Sequence, residues 1–244
     1  TSPANAAAVA RALVAAELAG QAGHGLRRGP SYAAQALTGK VDGHAVPQLS
    51  QQRPGTLTVD AMNGFAYPAM DQALDWLPDA ARAQGIAAAG IYRSHHCGVA
   101  GLAVERLARS GAVGLLVANA PAAMAPWGGS TPLFGTDPIA FAAPIDGADP
   151  VVVDISLSKV ARGKIMAAAQ KGEPIPEGWA LDAEGRPTTD AQAALKGTMI
   201  PMGDAKGTAL ALMVEMLCAG LTGANYGYQA TSFFDGDGTP PGTG

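Results

Sequence analysis

Between Thr56 and Ile155, short apolar runs alternate with helix-patterned stretches, and Gly, Pro or Asn punctuates most of the changeovers. Thr56 to Asp60 alternates as a strand does, and Asn63-Gly64 breaks it. Met70, Leu74, Leu77 and Ala81 recur at helical spacing, predicting a helix over Pro68 to Gln84. Gly85 to Tyr92 is a strand of small residues, Val99 to Ser110 a helix, Ala112 to Asn119 a strand. Pro138 to Pro144 and Pro150 to Ile155 are two more strands, followed by a helix over Ser158 to Lys171. Such alternation builds an α/β layer structure. Helices dominate the ends. Ser2 as N-cap and Pro3 in the first turn open one that runs to Leu18 and buries Val9, Leu13 and Ala16. A short helix resumes at Ser31. The last helix, Lys206 to Leu221, has Leu210, Met213, Val214, Leu217, Cys218 and Leu221 on one face. Gly172 to Asp190 is a long polar loop.

A chain of 244 residues makes one large domain or two small ones and needs no disulfide to secure its core. Cys97 and Cys218 leave room for one disulfide, yet two cysteines and no leading signal pattern fit a reducing cytoplasm. The longest apolar candidate, Ala112 to Ala120, is half of the ~18 residues that a membrane helix requires. Sixteen basic against twenty acidic residues, with no basic cluster beyond Arg27-Arg28, argue against a nucleic-acid partner. The first residue is Thr1, and Gly236 to Gly244 is turn chemistry that leads nowhere, so further residues are expected beyond Gly244.

Reactive side chains gather where predicted strands end. Ser94-His95-His96-Cys97-Gly98 follows one strand, Gly135-Thr136-Asp137 precedes another, and Asp154-Ile155-Ser156 ends a third. Ligands bind at such ends in layered α/β proteins, although polar residues there also serve simply as helix caps. No Gly-x-Gly-x-x-Gly follows a strand, so a nicotinamide cofactor would need a non-Rossmann fold; the P-loop and the serine-hydrolase elbow are absent too. His95-His96-Cys97 lacks a second Cys/His pair at ligand spacing, and no metal is expected. His24, between two glycines and followed by Arg27 and Arg28, is the strongest acid/base candidate. Imidazole titrates near neutrality, and a nearby guanidinium can fork onto a carboxylate. A solvated turn residue is the plainer alternative.

These segments together resemble the malate/lactate/sulfolactate dehydrogenase family of NAD(P)-dependent oxidoreductases, which includes ureidoglycolate dehydrogenase and the cyclic imino-acid reductases. The similarity runs through Gly23-His24-Gly25-Leu26-Arg27-Arg28 with Tyr32, Ser94 to Gly101, Gly135 to Ala142, Asp154 through Lys164, and Asp204-Ala205-Lys206-Gly207. It implies a homodimer whose helical lobe comes from both chain ends (residues 1–50 and 201–244) and whose α/β lobe (residues 51–200) holds the cofactor on a mixed sheet. It implies that His24 or His96 is the proton donor, and that Arg28 and Tyr32 bind substrate. Cofactor, NADP or NAD, would be held by His96, Cys97, Gly98, Val99, Ala100, Thr136, Asp154, Ile155, Ser156, Arg162, Gly163, Ala205 and Lys206. The expected reaction is hydride transfer between NAD(P)H and a small 2-oxo acid. The alternatives are NADPH-dependent reduction of piperideine- or pyrroline-2-carboxylate, or nucleotide binding without turnover. The family's Ser before the first histidine is Gly23 here, so His24 must be oriented by another group. Lys164, where imino-acid reductases carry Asp, leans toward the hydroxy-acid enzymes, with sulfolactate-type enzymes nearest. Lys206 is unfavourable at a positive helix start unless an anion binds there, so it is expected to meet the cofactor's phosphates.

Overall fold

The computed structural model describes residues 1–244. Helix α1 (Pro3–Leu18) starts where the Ser2 hydroxyl accepts a hydrogen bond from the Asn5 amide, at 3.2 Å, with Pro3 in the first turn. Its buried positions are Asn5, Ala8, Leu13 and Ala16; the Asn5 side-chain amide donates to the carbonyls of Gly43 and Ala45, both at 2.9 Å. A 3-10 turn, Leu26–Arg28, feeds α2 (Gly29–Thr38), which begins two residues before the expected Ser31 because Pro30 fits its first turn.

Strand β1 (Gln48–Arg53) carries no apolar alternation and is exposed along its whole length, which hides it from a pattern search. It pairs antiparallel with β2 (Thr56–Asp60), and β2 pairs parallel with β3 (Ala88–Tyr92), giving a mixed three-stranded sheet in the order β1-β2-β3. Between them, α3 (Ala66–Gln84) buries Ala66, Tyr67, Ala69 and Ala73, not the expected stripe of Met70, Leu74, Leu77 and Ala81. Alanine lets the helix lie close over Leu57 and Val59, leaving the larger side chains at the flanks.

Helix α4 (Ala100–Arg109) covers one face of the antiparallel sheet β4 (Gly114–Val117), β5 (Ile139–Ile145) and β6 (Ala148–Ile155), packing Ala100, Val104 and Ala108 on Ala140 and Ala142. Helix α5 (Arg162–Lys171) starts four residues after the expected Ser158. The intervening backbone pairs instead with residues 200–202: the Lys159 amide donates to the Ile200 carbonyl at 2.9 Å, and the Met202 amide to the Leu157 carbonyl at 2.7 Å. The polar stretch read as a loop folds into β7 (Ala180–Leu181) and β8 (Pro187–Thr188). After α6 (Ala191–Lys196), β9 (Thr198–Met199) completes a third small sheet, in the order β8-β7-β9. Strands of two residues carry too little pattern to be seen in sequence.

Helix α7 (Ala205–Glu215) and a π-helical turn, Met216–Gly220, close the main core, which includes Met124, Leu157, Ile165, Met199, Ala211, Val214 and Cys218. The six-residue apolar face expected there is only one-third buried. Val214 and Cys218 point inward, whereas Leu210, Met213, Leu217 and Leu221 stay exposed. The glycine-rich tail does dock: the Ser94 amide donates to the Thr243 carbonyl at 3.0 Å, and the Gly244 amide to the Asn119 Oδ1 at 3.0 Å. Both cysteines are free. No helix is long and apolar enough to cross a membrane.

Gly207 sits where α7 crosses the segment that precedes it, and a Cβ there would fall on the Met202 backbone carbonyl. Gly207→Ala is expected to destabilise by about 1–3 kcal/mol, the range for overpacking. Each kcal/mol lowers Tm by roughly 2–4 °C at this chain length. Gly163→Ala, into open space, leaves Tm unchanged or slightly raised. Scanning calorimetry of both variants checks the contrast.

Candidate active site

The chain leaves β3 through Arg93, held at positive φ (49°) by a forked contact on Asp60, Nε to Oδ1 at 2.9 Å and Nη2 to Oδ2 at 2.5 Å. This turn sends His95 and His96 in different directions. Gln35 donates its side-chain amide to the carbonyls of Ser31 and Phe233, which leaves its Oε1 to accept from His95 Nε2, at 2.9 Å. The His95 proton is thereby assigned to Nε2, and Nδ1 is buried without a partner. Burial and the positive charges of Arg28 and Lys40 push its pKa down to about 3.

His96 meets His24. Their Nε2 and Nδ1 atoms lie 3.0 Å apart, with the rings stacked nearly parallel, 7° between planes. His96 Nδ1 lies 2.6 Å from the Tyr32 hydroxyl, which lies 3.1 Å from the Tyr67 hydroxyl. Burial first, then Arg28, lowers the pKa of both histidines; for His24, Asp154 opposes the shift. Burial raises Tyr32 well above the ordinary phenol value and Tyr67 to about 12. Tyr32 is only 2% exposed, so the residue expected to bind substrate stands behind His96. Gly98, at φ +76°, is required beside it, because a Cβ there would come within 2.9 Å of the Tyr67 hydroxyl oxygen.

Arg28 donates from Nε to the Gly23 carbonyl at 2.9 Å and lays its guanidinium over the Phe234 ring, 4.4 Å from the centroid. Its Nη1 is buried without a partner, and burial lowers its pKa. Phe233 packs on both His95 and His96, with centroids at 5.0 and 5.4 Å.

A second group of expected residues begins at the end of β6. Asp154 Oδ2 accepts from the Gly101 amide at 2.7 Å, fixing β6 against the start of α4 and the Cys97 to Ala100 segment. Burial, with the charge of Asp154 beside it, pushes the Cys97 thiol up to about 11. The Thr136 carbonyl accepts from the Leu157 amide at 2.7 Å, so Thr136 lies next to the turn that carries Ile155 and Ser156. The bridge between Ser158 and Pro201, and the Lys159–Asp204 ion pair at 3.3 Å, then tie the segment that leads into α5 to the segment that leads into α7. Neither α5 nor α7 has a side-chain cap at its N-terminus. Of the expected residues, His24, Arg28, Tyr32 and His96 thus surround one hydrogen-bonded centre, Asp154 is tied to the first turn of α4 and Thr136 to Leu157, and Arg162, Gly163, Ala205 and Lys206 stand at the starts of α5 and α7.

Tyr67, Gln35, Phe233 and Phe234 escaped the sequence analysis. Tyr67 and Gln35 belong to no motif. The Phe233-Phe234 pair did carry a signal, since aromatics are only 5% of the chain.

The malate/L-lactate dehydrogenase family profile matches residues 1–244. The (2R)-3-sulfolactate dehydrogenase (NADP(+)) of Chromohalobacter salexigens is 57% identical over 235 residues, covering 96% of this chain and 70% of that protein. Among solved structures, the delta1-piperideine-2-carboxylate reductase of Pseudomonas syringae pvar. tomato superposes with a TM-score of 0.94 at 40% identity, over all of this chain and 74% of the other. The sulfolactate dehydrogenase of Methanocaldococcus jannaschii gives a TM-score of 0.89 at 31% identity, over 98% of this chain and 69% of the other.

His95 is neutral when folded, whereas in the unfolded chain it binds a proton below about pH 6.5. Its contribution to stability is therefore complete above that value and is lost as pH falls toward 3. Between pH 7 and 5 that loss is about 2 kcal/mol. His95→Gln is expected to shrink the pH dependence of urea unfolding by this amount. An unchanged slope would contradict the assignment.

Proposed function

The chain belongs to the malate/L-lactate dehydrogenase family, and from that premise we propose that it transfers a hydride between NAD(P)H and a small 2-oxo acid, giving the 2-hydroxy acid. One observation carries the proposal. His24, half-buried, is bonded at Nδ1 to His96 while Nε2 makes no bond within the chain, and beside it the guanidinium of Arg28 has a buried, unpartnered Nη1. A proton donor next to a free cationic fork suits a carbonyl that adjoins a carboxylate.

The residues present fit a dinucleotide phosphate. Two helix starts without side-chain caps expose amide donors, and Arg162 and the exposed Lys206 add positive charge. Cys97 to Ala100, Thr136 and Asp154 to Ser156 would hold the remainder. Bound there, the cofactor supplies the hydride. Arg28 grips and orients the substrate carboxylate, and Phe234 keeps the guanidinium plane in place. His24 delivers the proton to the nascent alkoxide, held at Nδ1 by His96 in place of the family's Ser.

Reduction of a cyclic imino acid is the second reading, favoured by the superposition on the piperideine-2-carboxylate reductase. It uses the same carboxylate grip and the same proton. The 57% identity to the sulfolactate enzyme, whose name includes NADP(+), favours the 2-oxo acid and NADPH.

We further propose a helical lobe from residues 1–50 and 201–244 against a cofactor lobe of residues 51–200. It is supported by the tail's return onto α2 and Lys40 through Phe233, Asp235 and Gly236. Exposed Leu212, Met213, Met216 and Leu217 support a homodimer, and two free thiols support a cytoplasmic location.

A panel of pyruvate, oxaloacetate, 3-sulfopyruvate and the two cyclic imines, followed by nicotinamide absorbance, tests the reaction class. Cofactor binding with no turnover of any member would overturn it. Arg28→Lys is expected to raise KM for the 2-oxo acid roughly 10- to 100-fold, as for loss of a charged hydrogen bond, while cofactor Kd stays within about twofold. Lys206→Met should do the reverse, weakening NADPH binding in a fluorescence titration with little effect on KM for the acid.

A further inference from the structure

The three contacts Tyr67–Tyr32–His96–His24 form an unbranched line of four side chains, at 3.1, 2.6 and 3.0 Å. A neutral imidazole has one N–H and one bare nitrogen, and a phenol has a single proton to give. These counts link the orientations along the line. If Tyr32 donates to His96 Nδ1, then Tyr67 donates to Tyr32, His96 Nε2–H donates to His24 Nδ1, and His24 presents Nε2–H outward. If His96 Nδ1–H donates to Tyr32 instead, His24 Nδ1–H donates to His96 and His24 presents a bare Nε2. The line therefore has two polarities, one presenting an acid and the other a base.

We propose that Tyr67 and Tyr32 are the inner half of a proton wire that passes through His96 to His24, with Tyr32 the positioning residue that sets the tautomer of both rings. The inference rests on the hydride-transfer reading for its direction. In reduction, the carbonyl carbon gains the hydride and the oxygen takes the Nε2 proton of His24. As that N–H bond breaks, Nδ1–H of His24 forms from the Nε2 proton of His96. Nδ1–H of His96 then forms from the Tyr32 proton, and the Tyr32 hydroxyl re-forms from that of Tyr67. Tyr67 is left as a phenolate until the product departs; water then gives a proton to the open Nε2 of His24, and the transfers run back along the line to restore the Tyr67 hydroxyl. Oxidation of the hydroxy acid runs each transfer backward from the other polarity.

The surroundings fit this role. Arg28 faces the line from the turn before α2, His95 and Cys97 from the turn after β3, and Asp154 from the end of β6. Burial and Arg28 disfavour a charged imidazole at either histidine, so neither ring brings a spare proton. Burial pushes the Tyr67 hydroxyl up to about 12, while its bond to Tyr32 and the charge of Arg28 pull it the other way. Tyr32 and Tyr67, 2% and 7% exposed, are shielded from bulk water that would short-circuit the line.

Tyr32→Phe keeps the ring and removes the link. In the resting protein it is expected to move the imidazole nitrogen chemical shifts of His24 as well as His96, and to leave those of His95, held by Gln35, in place. In turnover, kcat should fall about 10- to 100-fold, the low end of what a positioned acid contributes, with KM and cofactor Kd within about twofold. The rate of the wild type in mixtures of water and deuterium oxide should curve, reporting several protons in flight, and become linear in Tyr32→Phe. Tyr67→Phe should flatten that curve without moving the His95 shifts, and it decides the matter if Tyr32→Phe disturbs the fold. Unmoved His24 nitrogens, or a linear dependence in the wild type, would overturn the wire. If no substrate turns over, the hydride-transfer reading fails alone, and the nitrogen shifts still decide the wire.

Discussion

The contact between His24 and His96 joins segments 72 residues apart, and most of the local architecture is needed to hold it. Two imidazoles and two phenols in an apolar pocket cost several kcal/mol if unpaired. Each is paired along one line, and no apolar substitution in the middle satisfies the neighbours it leaves. Tyr32 reaches the line because α2 starts at Gly29, immediately after the turn that carries Arg28. His96 reaches it because Arg93 turns the chain out of β3. Gln35, one turn beyond Tyr32 on the same helix, holds His95 aside, so adjacent histidines serve different purposes. Phe233, returning from the far end of the chain, closes the pocket over both rings.

Much of this was legible in the sequence, and what was not has a physical reason. Ser2-Pro3 reads as a helix start because its signal is local, a hydroxyl reaching an amide three residues on. The strands Thr56 to Asp60 and Pro150 to Ile155 read through β-branched residues within five to eight positions. Gln48 to Arg53 did not, since an exposed edge strand is specified by its partner rather than by its own pattern. The helical stripes on α3 and α7 were only partly legible, because periodicity weights large apolar residues: Ala69 and Ala73 meet the core on α3 while Met70, Leu74 and Leu77 are half-buried, and Gly207 and Ala211 meet it on α7 while Leu210, Met213 and Leu217 are exposed. The motif residues His24, Arg28 and His96 were visible as motifs. Their hydrogen-bonded order was not, because Tyr67 enters it from a helix whose sequence carries no chemical signal.

That preference for small residues inside also explains how the site is assembled. Ala69 and Ala73 bring α3 down onto β2, and Tyr67, on the same helix, is thereby lowered to within hydrogen-bond reach of Tyr32. Ala100 and Ala108 do the same for α4 over Ala140 and Ala142, which brings the Gly101 amide to Asp154. A larger side chain at any of these positions would lift a helix that carries a polar contact. Interiors transmit such shifts because they are close-packed.

Asp154 is where the two groups of site residues meet. Its carboxylate accepts the Gly101 amide in the first turn of α4, a favourable place for a negative charge. From there its charge opposes that of Arg28 at His24. Burial and Arg28 hold the His24 ring neutral, and Asp154 offsets them only in part. In the proposed reaction Arg28 belongs to the substrate side and Asp154 to the cofactor side. A carboxylate bound in that reaction neutralises Arg28, which removes its influence on His24 and leaves that of Asp154. Substrate binding and the proton affinity of His24 are thereby linked through charges already fixed in the fold.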